Sequence, residues 1–96
     1  MDPRIKEIER EIVKVASKFK PKEIWLFGSI IEDGFEKAKD IDIAVKGVEK
    51  DFFKLYGRLI WILEGKFRKT VDLVPVDWLK EKKLFLKYVR KGSRLI

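Results

Sequence analysis

Residues 26–45, LFGSIIEDGFEKAKDIDIAV, decide how this chain is read. An apolar run stops at Gly28-Ser29, and ten residues later Asp40 and Asp42 bracket Ile41 inside a second apolar run. Side chains two apart in a strand project from one face, ~6–7 Å apart. The two acids therefore share a face, and Ile41, Ile43 and Val45 share the other. Asp33-Gly34 between the runs is a turn signal.

Working outward, Ile5, Ile8, Ile12, Val15 and Phe19 recur at spacings of three and four and predict a helix over 3–19. Asp2 can cap it, Pro3 suits its first turn and Pro21 lies just past its end. Residues 23–27 read as a strand, 30–39 as a turn or short helix, and 41–45 as a second strand closed by Gly47. Residues 51–67 predict a helix too apolar for a simple surface element, one that packs on the sheet and has surface left for a partner. Thr70 to Val76, TVDLVPV, is a third strand with Asp72 at its centre, and Pro75 puts its end at an edge. Asp77 is placed to cap a last helix running to Lys91, with Leu79, Leu86 and Val89 inward and Gly92 as its stop. This alternation predicts an α/β (α+β) fold: a small mixed sheet of about three strands with helices against it, in one domain over 1–96.

Composition narrows the chemistry. The 96 residues contain no cysteine and no histidine. Disulfides, thiolate or imidazole metal sites, and histidine or cysteine catalysis are excluded. Carboxylates, lysines, hydroxyls and backbone amides must carry any reaction. Charged residues make up 41% of the chain with both signs interspersed, a pattern shared with proteins of thermophiles. No apolar stretch has the ~20 residues of a membrane span, and MDPRIKEIER lacks a signal core, so the expected location is cytoplasmic. Net charge is +7, of which residues 78–96 hold +6: seven Lys and Arg against Glu81 alone. A basic tail of this kind is either a solvated helix face or a surface for phosphates, nucleic acid or an acidic partner. No aromatic-rich RNA motif or zinc finger accompanies it, which argues against nucleic acid.

Three carboxylates on adjacent strands repel unless a cation neutralises them. One or two Mg²⁺ ions, which take hard oxygen ligands together with substrate phosphates, would do so. Gly28-Ser29 would let backbone amides and a hydroxyl approach a phosphate closely. Taken singly, each feature has a plainer reading: a common turn, an exposed strand edge, a surface acid.

The combination resembles the DNA polymerase β-like nucleotidyltransferase superfamily and, within it, the minimal nucleotidyltransferase (MNT) domain proteins that serve as antitoxins to HEPN-domain toxins. LFGS followed by DIDIAV carries the resemblance, with VDLVPVDWL as the third-carboxylate strand and YVRKGSRLI as the closing helix. The resemblance implies Mg²⁺-dependent transfer of AMP from ATP to a tyrosine of a HEPN-type toxin. Gly28 and Ser29 would bind phosphate; Asp40, Asp42 and Asp72 would be the catalytic metal ligands, Asp72 also activating the acceptor hydroxyl. So short a chain implies completion by a partner subunit or a homo-oligomer. The chain departs from the family pattern at Ile30, Glu32 and Lys39, where arginine, arginine and serine are usual, and Lys37 and Lys39 are the nearest replacements for the missing charge. A catalytically weak module that neutralises its partner by contact is the alternative.

Overall fold

The computed structural model describes residues 2–96. Helix α1 (Pro3–Ala16) begins where Asp2 accepts the Arg4 backbone N–H at 2.9 Å. That bond satisfies one of the amides a helix start leaves without a partner. A 3₁₀ turn over Ser17–Phe19 follows, and Lys20 ends it in the left-handed region at φ 51°. Strand β1 (Glu23–Phe27) runs into the one-turn helix α2 (Ser29–Glu32), and β2 spans Asp40–Lys46. Helix α3 (Phe52–Leu59) continues through a π-helical segment, Ile60–Glu64, and a last turn, α4 (Gly65–Phe67). Then come β3 (Thr70–Pro75), a 3₁₀ turn (Val76–Leu79), α5 (Lys83–Arg90) and β4 (Ser93–Arg94).

The sheet order is β3-β2-β1-β4. β1 is antiparallel to β2 and β4, while β2 and β3 are parallel. A parallel pair needs a long crossover, and α3–α4 supplies it. Pro75 does lie on an edge strand. The fourth strand exceeds the three read from sequence. It is two polar residues long and carries no apolar signal; it forms because the free edge of β1 offers Trp25 and Leu26 as partners to Arg94 and Ser93. Gly92 permits the approach: a Cβ there would stand 2.3 Å from the Leu26 carbonyl oxygen.

The two sheet faces are covered unequally. Ile24, Leu26, Ile41, Ile43, Val45, Val71 and Leu73 pack against α1 and α3, whose Ile8, Ile12, Leu55 and Leu59 are fully buried. The opposite face holds a smaller cluster in which Phe27, Ala44 and Val89 are buried and Trp25, Val74, Val76 and Phe85 partly so. α5 covers that face only in part.

The last helix differs from the expectation. It does not start at Asp77: a 3₁₀ turn precedes it and the α-helix begins at Lys83. The Asp77 carboxylate instead accepts the Gly47 N–H at 2.8 Å, tying the turn after β3 to the end of β2. Among the described residues no helix is long and apolar enough to cross a membrane.

Two substitutions on one helix separate packing from propensity. Leu59 has no exposed surface, so Leu59→Ala is expected to cost about 2–5 kcal/mol in urea denaturation. Beyond its own helix backbone and chain neighbours, none of the described residues lies within 4 Å of a Cβ placed on Gly57, so Gly57→Ala is expected to stabilise by roughly 0.5–1 kcal/mol.

Candidate active site

The sheet register does what the sequence could only suggest. Phe27 of β1 pairs with Asp42 of β2, and Asp42 pairs with Asp72 of β3. Phe27, Asp42 and Asp72 thus form one row across three strands, on the face that α5 covers in part. Asp40 stands two residues from Asp42 on that face, opposite Thr70. The C-terminal end of β1 and the N-terminal ends of β2 and β3 coincide, so Gly28 and Ser29 lie at the same end. All five residues predicted for the site therefore share one end of the sheet.

Gly28 has φ 83° and ψ −155°, a conformation almost closed to residues with a side chain. The space its Cβ would occupy belongs to Asp42: the carboxylate Oδ2 would be 2.3 Å away. The glycine is thus required twice, by backbone conformation and by contact. Ser29 starts α2 and is half-buried.

Asp42 is half-buried, whereas Asp40 and Asp72 are exposed. Burial raises the Asp42 pKa above the usual carboxylate value, and the negative charges of Asp40 and Asp72 raise it further. Among the described residues no three acidic side chains stand close enough together to hold one metal ion. The Asp72 carboxylate is engaged elsewhere, accepting from the Tyr56 hydroxyl at 3.3 Å; that hydroxyl also lies 3.2 Å from the Val71 carbonyl. Mutual repulsion at Asp42 is nevertheless the charge state that a divalent cation relieves, and the donors are hard carboxylate oxygens of the kind Mg²⁺ takes.

Two tyrosines at the site were not anticipated. Tyr56 lies within the apolar helix predicted over 51–67, yet its hydroxyl reaches Val71 and Asp72 of β3. Burial pushes its phenol pKa up, and the adjacent Asp72 charge adds to this. The Tyr88 ring packs edge-on against Phe27, with centroids 5.8 Å apart. Its pKa is raised by partial burial and then by the charges of Glu32 and Asp42. The only signal in the sequence was the hydroxyl itself, since a tyrosine on an apolar stripe needs a polar partner.

The connecting loop also differs from a typical phosphate-binding loop. Ile30 has no exposed surface and belongs to the main core, so that position faces away from solvent. Glu32 and Asp33 are exposed, as are Lys37 and Lys39. Phe35 anchors the loop, with the Arg4 guanidinium 4.3 Å and the Lys69 ammonium 4.1 Å from its ring centroid. The Lys69 ammonium also donates to the Ala38 carbonyl.

Comparison with known proteins places this geometry in context. The family model described as Polymerase beta, Nucleotidyltransferase matches residues 10–96. A solved structure of the toxin–antitoxin complex MntA-HpeT, in a mutant form with two aspartates two positions apart replaced by glutamate, is similar at a TM-score of 0.65 and 25% identity. The match covers 92% of this chain and 71% of that one. No curated protein matches.

Gly28→Ala is expected to lose about 1–3 kcal/mol from backbone strain alone, read by thermal or urea denaturation, and to displace Asp42. The raised Asp42 pKa has a definite sign. With the folded value above the unfolded one, the native state is favoured below the unfolded carboxylate pKa, and that advantage is lost as pH rises through the raised value. Asp42→Asn is therefore expected to be more stable than wild type at pH 7. The gap should close as the medium is acidified below the carboxylate range; a gap independent of pH would contradict the assignment.

Proposed function

The chain belongs to the polymerase beta nucleotidyltransferase family, and from that premise we propose that it is a Mg²⁺-dependent nucleotidyltransferase that passes AMP from ATP to a tyrosine hydroxyl of a HEPN-type toxin and so acts as its antitoxin. The observation that carries this reading is the row of Asp42 and Asp72 on neighbouring strands, with Asp40 beside it and the Cβ-free surface of Gly28 against Asp42. The MntA-HpeT structure supports the antitoxin part, and its altered aspartates have the same spacing as Asp40 and Asp42.

Each residue has a role in this reaction. Asp40, Asp42 and Asp72 would hold Mg²⁺, which when bound lowers the pKa of the attacking hydroxyl and neutralises the departing pyrophosphate. The Ser29 hydroxyl and the amides beside Gly28 hold the β and γ phosphates. Asp72 takes the proton of the acceptor hydroxyl as its oxygen bonds to the α-phosphorus and the bond to pyrophosphate breaks. Because Tyr56 donates to Asp72 in the free chain, that hydrogen bond must loosen for Asp72 to act as a base.

One observation favours a second reading. Ile30 is locked in the core and Glu32 and Asp33 face solvent, so the start of the loop, directly after Gly28-Ser29, supplies no positive charge for a triphosphate and leaves only Lys37 and Lys39 further along. A contact antitoxin with little turnover would have this loop.

The test is transfer of α-labelled ATP to the co-expressed toxin. With Mg²⁺ the wild type should label it; chelation should abolish labelling; Asp72→Asn should reduce the rate by about 10²–10⁴-fold. If no label is transferred while Asp42→Ala and Asp72→Ala still neutralise the toxin fully, the contact reading replaces the transferase.

A further inference from the structure

The outer face of α3 carries more apolar surface than folding uses. Phe53 is 74% and Trp61 83% exposed, although Phe52, Leu55 and Leu59 around them are buried. Residues four apart on a helix lie along one line, and Phe53, Gly57 and Trp61 are such a set. Gly57 lies between the two rings. A glycine inside a helix costs about 1 kcal/mol relative to alanine, and among the described residues nothing outside its own helix backbone and chain neighbours occupies the space it leaves. Ile60, the first residue of the π-helical segment Ile60–Glu64, is 37% exposed as well.

The two flanks of this line differ. Lys54 and Arg58, also four apart and exposed, border one side. Tyr56 and Ile60 border the other, and Tyr56 bonds to Asp72. The Phe52 ring meets Phe53 at 5.2 Å, Tyr56 at 5.9 Å and the exposed Trp78 at 5.3 Å between centroids. Through the buried Phe52 ring, an aromatic cluster therefore links Phe53 on the outer face of α3 to Tyr56 at the edge of the candidate site.

We propose that this face docks the protein that presents the acceptor hydroxyl, and that the docked element is a helix with an apolar face bordered by Asp or Glu where it meets Lys54 and Arg58. The notch at Gly57 between two aromatic ridges suits the close approach of a second helix. Charge argues against a second copy of this chain. A self-complementary pairing repeats each side chain on both partners, so both basic flanks would enter one interface, while Glu64 is already bonded to the Val71 N–H at 2.9 Å. The acceptor part of the proposal rests on the transferase reading; the docking part does not.

The test measures affinity for the co-expressed HEPN-type toxin by calorimetry, with thermal melts as a fold control. Trp61→Glu and Phe53→Ser are expected to weaken binding by at least about ten-fold. The double variant Lys54→Glu/Arg58→Glu should weaken it by an amount that shrinks as salt rises. Gly57→Leu should raise the melting temperature of the free chain and lower its affinity, a split that a purely structural role does not produce. Unchanged affinity in all these variants overturns the proposal, as does a Trp61→Glu change that turns a dimer into a monomer without affecting toxin binding. Lost binding in the variants with no label transfer by wild type sinks the transferase and leaves the docking face. Normal transfer with unchanged affinities does the reverse.

Discussion

The Asp42 carboxylate lies against bare backbone at Gly28, and the arrangement of the site follows from that contact. A carboxylate can occupy this space only if residue 28 has no Cβ. The same glycine adopts a positive φ that turns the chain out of β1 and into α2. One residue therefore ends the strand, opens the loop and makes room for an acid from the next strand. The antiparallel pairing of Phe27 with Asp42 brings the two together, and the parallel pairing of β2 with β3 adds Asp72 to the row.

The sheet can hold these acids because its two faces have different tasks. One face is sealed by α1 and α3 around a wholly apolar core, and among the described residues no polar side chain is buried. That face stabilises the fold. The other is covered only in part, by Phe85 and Val89 of α5 over Phe27 and Ala44. At the remaining end, partial burial of the Asp42 charge, and then repulsion from Asp40 and Asp72, is stability given up at the site and offset by the core behind it.

Much of this was legible in the residues. Alternation in DIDIAV assigns Asp40 and Asp42 to one face, and the period of three and four assigns α1, because both patterns are local. A strongly apolar helix over 51–67 is legible in the same local way, and the missing N–H of Pro75 assigns it to an edge. Asp77 precedes an apolar periodic run, which is the local pattern of a helix cap. It bonds instead to Gly47, a residue distant in sequence, and the helix starts later. β4 leaves no mark in the sequence, since Ser93-Arg94 has no intrinsic strand signal and pairs because β1 has a free edge.

The sequence by itself determined the alternating elements, the absence of thiol and imidazole chemistry, and the family signature in LFGS and DIDIAV. These depend on residue type and short spacing. Only the tertiary structure decided that Asp72 stands opposite Asp42, that Tyr56 engages Asp72 and Tyr88 packs on Phe27, and that Ile30 faces the core. Those facts depend on strand register and on which helix covers which face. Such pairings form between residues tens of positions apart, where no local pattern carries the information.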